Sequence, residues 1–354
     1  MPYRAPLRVI ISAVTLTLAL GMGTSYPSSP GGMSWPPDQG EARIVFERML
    51  PDPNQPKEQA KEDWFSQGLS WLLGTHSGKI PASQRLMRPT GLWARWDRLY
   101  VADPGSGRVQ ILSLADGKTL KTIPAPPAPR LLSPVGVAVD VTGKIFVTDS
   151  ELGKVLVYSE ADGNTLAPIQ APPHGWLRPT GMALDQARAR LWVSDTARHT
   201  VHAFELSGRY LFSLGKHGNG KGEFNFPTYL WADPRSGEVW VCDNGNFRIQ
   251  WFDKDGHFLG KFGEAGNRPG FLPRPRGVVL DSEGHVYNAD GALETVQIFD
   301  TQGKLLLFFG ESGQGVGYFS MPGGLFMDRE DHLYVADTLN SRIQIFRYNK
   351  EHKP

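Results

Sequence analysis

Cysteine is almost missing from the chain: Cys242 is the single one among 354 residues, so no disulfide framework within the chain holds the fold together. An excess of charge of one sign is missing too. Thirty-seven Lys and Arg against 36 Asp and Glu leave a formal net charge of +1, without the strongly basic balance of a nucleic-acid-binding domain. The balance argues against RNA or DNA as the main partner. Recognisable catalytic signatures are missing as well: there is no Gly-x-Ser-x-Gly and no His-Glu-x-x-His. The histidines are dispersed, with His199 and His202 the one close pair, and alternation along a strand turns only one of such a pair inward.

What the chain does have is a repeat. Between Pro322 and Phe346 it reads as three strands: one opening at Pro-Gly-Gly, a second at Leu333–Asp337 and a third at Arg342–Phe346. β-Branched and aromatic runs bounded by Gly, Asp and Asn mark half-buried strands and tight turns. The unit recurs upstream, with second-strand aspartates at Asp103, Asp149, Asp195, Asp243, Asp290 and Asp337. The first-strand prolines are Pro89, Pro134, Pro179, Pro227, Pro275 and Pro322. A steady spacing of 45 to 48 residues, enough for about four short strands, predicts radial repetition. The fold class expected is all-β, a six-bladed propeller with four-stranded blades. Cys242 takes the place filled elsewhere by Ala102, Thr148, Ser194, Ala289 and Ala336, a position for a small side chain, so a structural thiol is expected there.

Pro-x-Gly at the strand start, an apolar-x-Val-x-Asp second strand, Asn-x-Arg-Ile-Gln and a closing Phe resemble the NHL repeat, most closely in 322–346 and 227–252. The resemblance spans about 88–348 and implies a six-bladed NHL propeller. It implies less about activity, because one fold hosts many functions. Some six-bladed relatives are Ca- or Zn-dependent hydrolases and lyases working at the channel mouth, and some NHL domains bind RNA. The ligand sets of the metal enzymes are not visible in these first strands, so no cofactor is expected, with Ca or Zn reserved for an enzyme.

Residues 1–23 carry Arg4 and Arg8 and then the apolar run Val9–Leu20. The run is too short to cross a bilayer but suits an export signal, cleaved or retained as an anchor. The expected locations are periplasmic or secreted. Residues 24–41, rich in Pro, Gly and Ser, read as a flexible linker. Residues 42–87 read as a strand over 42–50, supplying the fourth strand that the sixth repeat lacks, followed by a helix over 57–73. Trp64, Phe65 and Trp71 on that helix are candidates for contact with a partner. Residues 88–348 form the propeller and 349–354 a tail.

Two groups recur. Asp103/Arg108, Asp149/Lys154, Asp243/Arg248 and Asp337/Arg342 are spaced to pin the turn between second and third strands as charge-assisted pairs. Asp195 and Asp290 are followed at that spacing by Thr200 and Thr295 and lack the pin. Glycine-rich stretches at 215–222, 263–266 and 310–317 run from strand to strand, so connectors rather than phosphate loops are expected. The binding surface expected is the face where connectors enter the central strands. Its candidates are Arg88, Arg178, Arg274, Arg276, Tyr229 and Trp176, with Thr90, Thr180 and Thr228 beside them, because arginine with aromatics suits a protein-binding hot spot. The expected function is an exported, non-catalytic binding module or scaffold, a monomer engaging a protein or peptide of the cell envelope. The alternatives are a channel-mouth metal-dependent hydrolase or lyase, and an RNA-binding NHL domain.

Overall fold

The computed structural model describes residues 33–37, 43–51, 85–125 and 128–350. These form six antiparallel sheets with almost no helix. Each sheet is one blade, and its strands run outward from the axis in chain order. Blade 4 shows the plan: Pro227–Ala232 innermost, then Val239–Asp243, Arg248–Phe252 and Phe258–Phe262 outermost. The first strands of the other blades are Leu92–Arg95, Pro134–Val139, Pro179–Asp185, Pro275–Leu280 and Pro322–Met327. Each first strand contacts the next, and the sixth contacts the first, so the chain makes a six-bladed propeller.

The apolar core is divided as the blades are. Six clusters of buried side chains sit one between each pair of neighbouring blades, such as Trp240 of blade 4 against Val278 and Leu280 of blade 5. Alternation makes this arrangement unavoidable: successive side chains of a strand point to opposite faces, and in a propeller both faces of a blade meet a neighbour. The second strands are therefore buried along almost their whole length.

Two blades depart from four consecutive strands. Blade 2 has three, ending at Lys154–Ser159, and the chain beyond it makes only a single bridge between Tyr158 and Thr165. Blade 6 takes its outer strand from the other end of the chain: Ile44–Leu50 pairs antiparallel with Arg342–Tyr348, Phe46 opposite Phe346 and Ile44 opposite Tyr348. The stretch read as a linker also contributes. Ser34–Trp35 pairs with Ile44 and Val45, and the Trp35 ring lies 5.2 Å from that of Phe309. An indole has apolar area to bury, which outweighs the flexible character of its Pro and Gly neighbours. The helix expected over 57–73, with Trp64, Phe65 and Trp71, and the leader over 1–23 lie outside the described residues.

Candidate functional site

The six recurrent aspartates are all fully buried, and geometry gives them one common task. Each accepts hydrogen bonds from backbone amides of the connector entering its own blade. Asp103 binds the N–H groups of Met87 and Arg88 at 2.9 and 2.8 Å, and Asp195 those of Leu177 and Arg178, both at 2.8 Å. Asp149 takes those of Leu132 and Ser133. Asp243, Asp290 and Asp337 each take one, from Asn225, Arg274 and Ser320. A buried carboxylate is tolerated where its lone pairs are filled in this way.

The expected turn pairs divide into two sets. Arg248 bonds Asp243 and Arg342 bonds Asp337, each at 2.7 Å. Arg108 does not pair with Asp103, nor Lys154 with Asp149, although both are cross-strand neighbours. Arg108 instead donates to the Pro124 and Ala128 carbonyls, and Lys154 is exposed. The connector explains the difference. In blade 4 the Arg248 guanidinium is also held by the carbonyls of Asn219, Gly220 and Glu223, and in blade 6 Arg342 by those of Gln314, Gly315 and Tyr318. Those carbonyls belong to the glycine-rich stretches and the residue that follows each, which thus wrap an arginine; blades 1 and 2 have no such loop. Blade 5 keeps a short glycine stretch but has Thr295 where the arginine would stand. In blade 3 Arg198 lies 3.7 Å from Asp195 and bonds the Gly175 and His174 carbonyls.

Because each aspartate ties a connector to the end of a second strand, all six connector ends and all six turns that follow the aspartates lie on one face. Exposed apolar side chains recur there: Met87, Leu132, Leu177 and Phe226 at the connector ends, Leu152, Phe247 and Leu339 in the turns. Leu177 is 54% and Phe226 49% accessible. Arg88, Arg178 and Arg274 occupy the position just before the first-strand proline in blades 1, 3 and 5, and all three are exposed. His199, in a left-handed turn conformation, has its ring 4.4 Å from that of His217 at a tilt of 56° and accepts the Phe226 N–H at 3.1 Å. Burial and the neighbouring His217 hold its pKa below the ordinary value. His202, its close neighbour in sequence, faces elsewhere as alternation requires, buried between Thr200 and Ser213.

Several other candidates are not on this open surface. Trp176 is half-buried, packed edge-on against His202 and beside Phe204, since an indole with apolar neighbours within reach covers part of its area with them. Thr90 is buried and donates to the Ala102 and Val135 carbonyls, the second in the next blade. The Thr180 hydroxyl is engaged with Ser194 and Thr196, and that of Thr228 is buried without a partner among the described residues. Hydroxyls and one amide at this level join blades: Ser150, Thr196, Asn244 and Thr338 each donate to the carbonyl of the proline that opens the next blade. Sequence reasoning missed this lock. The signal was a small polar residue directly after the aspartate.

The axis is closed. First strands approach so tightly that a Cβ on Gly91 would stand 2.5 Å from the Val135 carbonyl oxygen, and one on Gly136 2.6 Å from that of Thr180. In blade 4 the equivalent residue is Tyr229, whose ring fills the space between the strands. The cavity left, lined by Gly91, Gly136, Met182, Tyr229, Leu230 and Leu325 among others, is about 20 Å³, room for roughly one water. Cys242 is wholly buried beside this axis, its thiol pKa pushed up by burial.

A family model described as a six-bladed beta-propeller matches residues 182–264, and that of the NHL repeat matches 319–346. The chain is a six-bladed β-propeller carrying NHL sequence. Among solved structures the propeller resembles a protein of unknown function from Bacteroides thetaiotaomicron, with 18% identity, 75% of this chain and 70% of that chain covered, and a TM-score of 0.58. It also resembles an auxiliary nutrient binding protein from the same organism, with 13% identity, the same coverages and a TM-score of 0.57. A third is a catalytically inactive virginiamycin B lyase from Staphylococcus aureus with quinupristin, with 11% identity, 76% and 98% covered, and a TM-score of 0.55. At these identities the propellers share a fold, and a fold does not fix a function. No curated protein matches the chain by sequence.

Proposed function

We propose that the chain is an exported, non-catalytic propeller that binds a protein or peptide partner of the cell envelope on the face where its connectors enter. The observation that carries this reading is the group of exposed Leu, Met and Phe on that face, with Met87, Leu132 and Leu177 at one equivalent repeat position, interleaved with Arg88, Arg178 and Arg274. Singly scattered apolar side chains on a surface need no explanation, whereas apolar groups gathered on one side mark interaction sites. Arginine and aromatics among them suit a hot spot. The axis itself, at about 20 Å³, is far below the roughly 300–1,000 Å³ of a pocket that encloses a small molecule, so a partner on this face would rest on its surface and not enter the axis. The near-neutral charge supports a protein over a nucleic acid.

The test is in-cell crosslinking and pull-down of the full-length chain beside two variants. Leu177→Asp/Phe226→Asp places charge on the connector face. Trp96→Asp does so at the opposite end, where Trp96 is 78% accessible. A partner kept by Trp96→Asp and lost by a folded Leu177→Asp/Phe226→Asp protein supports the reading. Retention by both, or loss only with Trp96→Asp, overturns it.

A further inference from the structure

One position in the turns of the connector face ties neighbouring blades together. The residue four after each recurrent aspartate is Gly107, Gly153, His199, Phe247, Glu294 or Ser341, and all six have a left-handed backbone, with φ between 55° and 65°. In blade 5 the Glu294 carboxylate accepts the N–H of Met321, the residue just before the next first-strand proline, at 3.0 Å. In blade 6 the Ser341 hydroxyl donates to the Met87 carbonyl of the blade 1 connector at 2.8 Å. In blade 3 the residue held is Phe226, again just before the proline, and Nδ1 of His199 accepts its N–H. Of these tethering groups only the imidazole changes charge near neutral pH.

Accepting an N–H fixes the state of the His199 ring. Nδ1 must be bare, so the one ring proton sits on Nε2. A proton added to Nδ1 would point one N–H at another, and the bond to Phe226 would be lost. The surroundings do little to hold the resulting cation. On the connector, His217 is the nearest ring and Lys216 is paired with Glu223. On the same turn as His199, Arg198 lies beside Asp195 and bonds the His174 and Gly175 carbonyls. In blade 4, Asp243 is matched by Arg248. Each carboxylate here already has its own cation, and a charge on His217 would repel one on His199. Phe226 depends on the tether: its φ is 55°, a backbone that a residue with a side chain keeps only when its surroundings hold it. Its ring lies 4.6 Å from that of His199 and remains exposed.

We propose that His199 is a proton-operated tether: uncharged, it holds Phe226 in place on the connector face, and protonated at Nδ1 it lets that connector end go. Acidification therefore weakens the grip of this face on its partner. That consequence rests on the proposed function; the opening of the tether does not. Blade 5 carries the contrast, because a carboxylate acceptor such as Glu294 keeps its charge well below neutral pH.

The test uses the isolated full chain. In ¹⁵N-labelled protein the His199 ring and the amides of Phe226 and Met321 are followed from pH 8 to pH 5. Nδ1 is expected to be bare at pH 8 and to take up its proton below about pH 6.5, since burial and His217 lower the His199 pKa and Asp243 opposes them. The Phe226 amide shifts with the same midpoint, and its protection from exchange falls about tenfold, as for one lost hydrogen bond. The Met321 amide stays as it is. His199→Glu supplies the acceptor that blade 5 uses, and the Phe226 amide then no longer titrates. In pull-downs at pH 5.5, wild type releases the partner and His199→Glu keeps it. A ring already protonated at Nδ1 at pH 8, a Phe226 amide that ignores the ring, or one that titrates equally in His199→Glu overturns the tether. Equal behaviour of the two proteins at pH 5.5 overturns its control of binding, while a partner captured at neutral pH leaves the connector face standing as the site.

Discussion

Thr338 donates its hydroxyl to the carbonyl oxygen of Pro89 at 2.9 Å, across 249 residues of sequence. It is the joint between the last blade and the first, and it repeats the bond by which Ser150 and Thr196 hold the blades after them. Thr338→Val keeps the shape and removes the donor, leaving a buried carbonyl unpaired. A loss of about 1–3 kcal/mol is expected, read as a lower denaturant midpoint with unchanged slope. A midpoint equal to wild type would show that the joint contributes nothing.

Arg248 and Arg108 occupy equivalent places in their blades and differ in what they hold. Arg248→Ala removes the one cation from the buried Asp243 carboxylate, which keeps only neutral donors from Asn225, Asn246 and Gln250, and unpairs the Asn219 carbonyl, so a loss on the order of 3–5 kcal/mol is expected. Arg108→Ala leaves Asp103 with its amide donors and is expected to cost less than about 1 kcal/mol. Thermal melts of the two variants check the contrast; similar losses would restore the uniform turn-pair reading.

Gly136 has an ordinary backbone, and its lack of a side chain serves packing between blades. Gly136→Ala would press a methyl group on the Thr180 carbonyl, and about 1–3 kcal/mol of overpacking is expected. Gly163→Ala, where a Cβ meets nothing within 4 Å but φ is +76°, reports backbone strain alone. Calorimetry of both separates the two effects.

His202 sets a pH dependence. Burial pulls its pKa down to about 4, Asp195 opposing and Arg198 reinforcing the shift. The unfolded chain therefore takes up this proton more readily than the folded one. Its contribution is complete above about pH 6.5 and falls as the pH drops toward 4, by on the order of 3 kcal/mol. His285 and His332 have raised values, from hydrogen bonds to Asp281 and Asp328, and act in the opposite sense, losing stabilisation as the pH rises. Urea midpoints at pH 7.5, 6 and 4.5 should fall less steeply for His202→Gln than for wild type. Parallel curves would sink the assignment.

Removing 42–50 takes away the strand paired with Arg342–Tyr348 and leaves that edge bare, so a product prone to association is expected. Size-exclusion chromatography and melting of the truncated chain check this; a monomer melting like wild type would show the strand dispensable.

The period was legible because Pro and Asp must recur wherever a connector meets a second strand, and both have few substitutes there. The task of the aspartate was less legible. The partners common to all six blades are backbone amides, such as those of Met87 and Arg88, which carry no side-chain identity. The sequence showed Arg108 at the right spacing, but not that a carbonyl-lined loop must surround an arginine before it turns inward. Tyr229 was visible as an exception among glycines. Its direction was not, because that depends on strands from opposite sides of a ring that only closure brings together.

Closure also fixes an order of events. Asn349 donates to the Arg43 carbonyl, and Phe46 faces Phe346, so the sixth blade needs both the earliest and the latest described parts of the chain. During synthesis the N-terminal strand must wait, unpaired, while five blades emerge. Contacts this distant in sequence form slowly, since the loop between them has to be closed first. The ring is therefore completed only after the last blade has been made.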